Sequence, residues 1–175
     1  MTTKTALLGA ALILTTSLVW GMQDISAFSK GDRTLTLGGG GNSDKEFDNS
    51  ILSINLGFSE FITAETAVAL RQELNFADSG SHENWNGSTR FALDYHWTVD
   101  NCRPFVGVNI GYLYGDNVEE QFIAGPEAGL KHFLNESTFI YLNAEYQFLF
   151  KDADQANNRL DDGRFVYGIG MGFRW

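Results

Sequence analysis

The sequence is short of cysteine, proline, basic residues and long apolar runs. Its single cysteine, Cys102, lies far from the N-terminus, which excludes both an internal disulfide and a lipid-modified N-terminal cysteine. Only 2 prolines accompany 19 glycines and 14 phenylalanines, a balance that suits many short strands better than helices and predicts an all-β class. Basic residues number 12 against 22 acidic ones, so a nucleic-acid partner is not expected, because binding a phosphate backbone relies on clustered Lys and Arg. The one extended apolar run, residues 6–20, follows Lys4 and precedes small and polar residues. It is shorter than the ~20 residues of a spanning helix and has the layout of a secretory signal. Cleavage is expected after Gly21 or after Ala27, so residues 1–27 read as signal peptide and cleavage region, and residues 28–175 as one domain.

What the chain does have is a two-residue alternation. It ends "FVYGIGMGFRW", in which Phe165, Tyr167, Ile169, Met171, Phe173 and Trp175 alternate with Val166, Gly168, Gly170, Gly172 and Arg174. Side chains on a strand point to opposite faces in turn, so one face is bulky and apolar and the other nearly bare. The same pattern recurs in "DRTLTLGGGGN", "ILSINLGF", "ETAVALRQELNF", "TRFALDYHWTV", "PFVGVNIGYLY", "FIAGPEAGLKHFL" and "TFIYLNAEYQFLF". That makes eight strands. Pro126 cannot donate a ladder hydrogen bond and predicts a bulge in the sixth.

The connections alternate in length. "SDKEFD", "ADSGSHENWNG", "GDNVEEQ" and "KDADQANNRLDD" are long and polar, whereas "SEF", "DNCR" and "NES" are tight. In an up-and-down meander the long connections share one end and both termini the other. Eight strands enclose a lumen barely wide enough for side chains, and only the small and polar face fits inside it. The crowded apolar face therefore points outward, as in a membrane barrel rather than a ligand-holding soluble one. Aromatics sort by height as interfacial belts require: Phe76, Phe91, Tyr112, Tyr114, Phe122, Phe148, Phe150, Phe165 and Tyr167 near the long connections, and Trp97, Phe173 and Trp175 near the tight ones.

With its eight alternating strands and final aromatic, the sequence resembles the eight-stranded outer-membrane barrels of Gram-negative bacteria, the group containing OmpX, the OmpA membrane domain and the opacity-type surface proteins. The resemblance implies an all-β, eight-stranded antiparallel up-and-down transmembrane barrel, monomeric, among outer-membrane lipids and lipopolysaccharide, with periplasmic termini and extracellular long loops. It also implies that the barrel-assembly machinery reads Gly170, Phe173 and Trp175 as an assembly signal; Gly168 departs from the polar residue usual at its position. Function is less constrained, because one fold hosts several jobs. The expectation is a non-enzymatic barrel serving envelope integrity or surface interaction, with a narrow ion or solute channel as the alternative.

Strand parity puts Glu65, Arg71, Glu73, Arg90, Asp94, Glu127, Lys131, Glu145, Arg164 and Arg174 on the inward face. They form either a selectivity lining or a packed ion-pair core, and the narrow bore favours the core. A register bringing Arg71 opposite Asp94, or Glu73 opposite Arg90, is expected. Catalysis is not: lipid-A deacylases pair a His with a Ser two residues away, whereas "HFLNE" puts Leu134 at that distance from His132, and His82 and His96 also lack a serine partner. No cofactor is implied, and the acidic "KDAD" run lacks the spacing and glycine of an EF-hand.

If Trp175 is both an interfacial anchor and part of an assembly signal, Trp175→Ser lowers the amount of barrel assembled in cells far more than the stability of barrel refolded in lipid. Burial of one aromatic is worth at most roughly 1.5–3 kcal/mol. Gly172→Ser, at a position that parity marks as neutral, is the control, and heat-modifiable gel migration of cell envelopes gives the readout.

Overall fold

The computed structural model describes residues 28–43, 49–79, 83–116, 118–150 and 163–175. The expected signal peptide, the "KDAD" run and His82 lie outside them. Eight strands follow in order: β1 (Arg33–Ser43), β2 (Asn49–Phe61), β3 (Thr66–Ser79), β4 (Glu83–His96), β5 (Cys102–Gly115), β6 (Gln121–Phe133), β7 (Thr138–Phe150) and β8 (Gly163–Arg174). Each pairs antiparallel with its sequence neighbours, and β8 returns to β1, closing an up-and-down barrel. Lengths of 11 to 14 residues meet or exceed the ~9–11 that a tilted strand needs to cross hydrocarbon.

The tight connections are built by local side chains. In residues 62–65 the Thr63 hydroxyl accepts from the N–H groups of Glu65 and Thr66 at 3.2 and 2.9 Å. At residues 134–137 the Asn135 side-chain oxygen accepts from Ser137 and Thr138 at 3.0 and 2.9 Å. Val99 and Cys102 exchange both backbone hydrogen bonds around Asp100, which sits at φ 50°, a conformation that Asp tolerates better than most residues. At the opposite end the strands run further than expected. The segment 77–87, read as a long loop, is mostly ladder: Asp78 pairs with Glu83 and Phe76 with Trp85.

Faces divide as the alternation requires. Leu35, Leu56, Leu70, Phe91, Val108, Leu142 and Ile169 are exposed on the outer wall, while Thr34, Ser59, Glu73, Arg90, Asp94, Glu127 and Gln147 are buried inside. Pro126 does not produce the expected bulge. Pairing of β6 with β7 lapses across Gly125 and Pro126, yet Ala124↔Phe148 and Glu127↔Glu145 keep one register on either side. Proline removes its own N–H without needing an inserted residue.

Interior glycines are matched across strands to large inward side chains. Phe139 lies opposite Gly172, Tyr141 opposite Gly170 and Asn143 opposite Gly168, and a Cβ on any of these three glycines would overlap that partner. Phe105 over Gly129, Asp94 beside Gly107 and Arg90 beside Gly111 repeat the arrangement. The bare face of the last strand is thus the space that β7 fills. Gly172 is consequently not neutral, and Gly40, where an added Cβ meets nothing within 4 Å, is the better control position.

Gly172→Val is expected to destabilise the barrel by about 1–3 kcal/mol through overpacking against the Phe139 ring. Combined with Phe139→Ala it costs less than the sum of the single changes, since the methyl groups then enter vacated space. Urea unfolding in lipid vesicles measures both.

Candidate functional site

The lumen is filled by two layers. In the middle, Arg71 and Arg90 stand directly opposite each other in the β3–β4 register, and Glu127 and Glu145 do the same in the β6–β7 register. Each like-charged pair would repel by itself. The barrel puts them on facing walls, so that Arg71 binds both carboxylate oxygens of Glu127, and Arg90 binds Glu145. The other arm of each guanidinium takes a carboxylate on its own wall: Arg71 Nη2 reaches Asp94 Oδ2 at 2.6 Å and Arg90 Nη2 reaches Glu73 Oε2 at 3.1 Å. The expected partners are therefore in contact, but not by the expected register: Asp94 lies opposite Ala67, and Glu73 opposite Ser88. Arginine's forked donors make these diagonal contacts possible.

Amides add further hydrogen bonds to three of these carboxylates, while Asp94 Oδ1 is buried without a hydrogen-bond partner. Asn109 donates to Glu127 at 2.7 Å, Gln147 to Glu145 at 2.8 Å and Asn75 to Glu73 at 3.0 Å. Arg164 enters through Gln147, donating Nε–H to its side-chain oxygen at 2.8 Å. A cavity of about 50 Å³ remains beside this layer, lined in part by Asn55, Arg71, Arg90, Lys131 and Tyr141.

The second layer closes the end that carries both termini. Phe61, Phe133 and Phe139 are buried together with Ala67 and with Phe28, the first described residue, whose ring stacks on Phe61 at 3.8 Å. Lys131 Nζ sits 5.5 to 5.7 Å from the ring centres of Phe28, Phe61, Phe105 and Phe139. Arg174 lies over Phe28 and Phe133 at 5.5 and 5.3 Å, and Arg103 over Phe133 at 5.8 Å. The negative ring faces attract these desolvated cations. The buried His96 ring completes the layer, against Phe61 and Phe105.

Of the inward charges read from parity, Arg71, Glu73, Arg90, Asp94, Glu127 and Glu145 meet in the ion-pair layer, Arg164 adjoins it, and Lys131 and Arg174 belong to the aromatic layer. Glu65 does not face the lumen. It is exposed in the turn that Thr63 closes, its carboxylate accepting from the Thr63 hydroxyl at 3.3 Å, because the strand begins only at Thr66. The inward aromatics were missed, although Phe61, Phe105, Phe133 and Phe139 all have inward parity near a tight turn; nothing in the sequence signals Phe28. Gly170 and Phe173 lie on β8. Trp175 projects outward just beyond it and exchanges both backbone hydrogen bonds with Arg33 at 3.0 and 3.1 Å.

One outer-wall contact of His132 was not legible along the strand. His132 has no serine, but it lies opposite Cys102 in the β5–β6 register, with Nδ1 3.3 Å from Sγ. A nucleophile and a base thus meet across strands rather than along one. Among the described residues no carboxylate hydrogen-bonds His132, so the third member of a triad is missing.

A closed antiparallel barrel with an apolar exterior and a filled, polar lumen defines the class: an eight-stranded barrel of the outer-membrane type. No family model matches the sequence, and no curated protein matches it significantly. Solved outer-membrane barrels share the fold. The N-terminal β-barrel domain of Pseudomonas aeruginosa OprF aligns over 84% of this chain and 98% of its own, with TM-score 0.58 and 17% identity. The outer-membrane protein OprG from the same organism covers 87% of this chain and 99% of its own, with TM-score 0.60 and 14% identity. Neisserial surface protein A covers 82% and 94%, with TM-score 0.53 and 9% identity. At these identities the likeness is one of fold.

Arg90→Met leaves Glu73 and Glu145 buried without their cation and is expected to destabilise the barrel by about 3–5 kcal/mol. Adding Glu145→Gln recovers part of that loss. Equal stabilities for the single and double variants in denaturant titrations would show that the cross-lumen pair is not coupled.

Proposed function

We propose that the protein is a non-enzymatic outer-membrane barrel that spans the membrane as a closed body and serves envelope integrity or surface interaction. The observation that carries this reading is the double closure of the lumen. A conducting path would have to break the Arg71–Glu127 and Arg90–Glu145 pairs and then displace the rings around Lys131. The outer wall supports the location, since its exposed Leu, Ile, Val and aromatic side chains suit hydrocarbon and not water. The solved barrels with the same fold support it too.

In this reading both termini are periplasmic, the longer acidic connections face the cell exterior, and outer-membrane lipids and lipopolysaccharide surround a single copy. The barrel-assembly machinery reads Gly170, Phe173 and Trp175, and the paired Trp175 backbone holds that segment as strand. Exposed Asp116, Glu119 and Glu120 give one outer connection its charge.

Planar-bilayer recordings test the closed body. The mature protein is expected to give no defined conductance steps, with or without its long connections shortened; stable unitary steps from the wild-type chain would favour the narrow channel instead. Protease added to intact cells is expected to cut within residues 151–162 and to spare residues 134–137. Cleavage at 134–137 in intact cells would reverse the orientation.

A further inference from the structure

The barrel wall is not evenly sealed. β1 pairs with β8 from Thr34↔Arg174 to Gly38↔Gly170, with Arg33 and Trp175 bonded just before that stretch. Beyond Gly38, residues 39–43 remain paired with β2 and residues 163–169 with β7, but the two edges do not pair with each other. Among the described residues, backbone N–H and C=O groups along both edges thus lack the ladder partners that β1 and β8 give each other up to Gly38. Within hydrocarbon such groups need hydrogen bonds from something.

A space of about 440 Å³ lies at this seam, within the range of small-molecule sites. Its lining comes from both faces of the wall: Ile51, Ser53, Asn55 and Gly168 have inward parity, Tyr167 and Ile169 outward. Asn55, Tyr167 and Gly168 also border the lumen cavity. Tyr167, Gly168 and Ile169 border a groove of about 630 Å³ on the outer wall, which runs past Ala128, Leu130, Leu142 and Ala144. Lumen, seam and outer groove therefore meet at Tyr167 and Gly168.

We infer that the β1–β8 seam is a lateral binding site for a neutral single-chain amphiphile, its hydroxyl or amide head in the seam and its tail in the outer groove. The chemistry of the lining selects this class. Unpaired backbone groups with Ser53 and Asn55 offer donors and acceptors at the inner end, and the outer groove offers only apolar and small side chains apart from Asn143. Among the described residues no Lys, Arg, Asp or Glu lines the seam, so a charged head would meet no counter-ion there, and a neutral head avoids the desolvation cost. The tail leaves sideways into the bilayer, and the closed layers of the lumen need not open.

The test uses the mature barrel in lipid nanodiscs, with Cys102→Ser, Gly40→Cys and Gly168→Cys. Continuing the β1–β8 register would bring positions 40 and 168 opposite each other, so oxidation locks the seam and reduction releases it. An added Cβ meets nothing at Gly40 and only the movable Asn143 side chain at Gly168. The probe is hexadecanol carrying a chain diazirine, with photolabelled peptides mapped by mass spectrometry. Label is expected to concentrate on peptides holding residues 39–55 and 167–169 in the reduced protein, and to fall to the level of the rest of the wall on oxidation. Even labelling around the reduced barrel, or labelling indifferent to the lock, overturns the site; stronger seam labelling by the matching diazirine hexadecanoate overturns the neutral head. Amide hydrogen exchange on the wild-type chain is an independent check. Residues 39–42 and 164–169 are expected to exchange faster than the β3–β4 ladder, and equal protection would mean a sealed seam and no site.

Discussion

Two guanidiniums on one wall of the barrel face two glutamates on the other, and the rest of the interior depends on that arrangement. Arg71 beside Arg90, and Glu127 beside Glu145, are unfavourable neighbours along their own ladders. Asp94 and Glu73 compensate the guanidiniums in part along their own wall, and the two glutamates gain their cations only when the sheet closes and brings β3 and β4 across from β6 and β7. Closure and charge compensation are therefore coupled: an open sheet carries two like-charge clashes, and a closed one carries cross-lumen ion pairs with amide support. Buried ion pairs often repay little more than their desolvation. Their effect here is to make one closed register better than its alternatives.

The aromatic layer solves a different problem at the termini. Lys131, Arg103 and Arg174 lie beside ring faces there, and Arg103 also donates to the backbone carbonyls of Asp100 and Cys102. Phe28 enters from outside the strand system, so the chain preceding β1 becomes part of the seal. Together the layers leave a residual cavity of about 50 Å³ beside the ion pairs.

The wall shows where backbone pairing gives out. A proline interrupts β6–β7 without shifting its register, and β1 parts from β8 beyond Gly38. Both lapses involve glycine-rich stretches, Gly125–Pro126 and the run beginning at Gly38, where side chains contribute least to holding neighbouring strands together. Small residues let large inward neighbours fit, as Gly172, Gly170 and Gly168 do for Phe139, Tyr141 and Asn143, and the same smallness leaves the seam weakly held.

By itself the sequence determined the strand number, the antiparallel meander and the side of the wall on which most residues sit, because two-residue alternation is a local property of extended chain and carries through without knowledge of distant partners. It did not determine where turns begin, so Glu65 was assigned to the lumen although Thr63 already closes the turn around it. Nor did it determine which charges meet. Arg71 with Glu127, Arg90 with Glu145, Cys102 with His132 and Phe28 with Phe61 are contacts between residues far apart in the chain, and which of them form depends on the relative shift of the strands when the barrel closes. That shift is a property of the whole ring of strands, which is why only the tertiary structure could decide the contents of the lumen and the place where its wall comes apart.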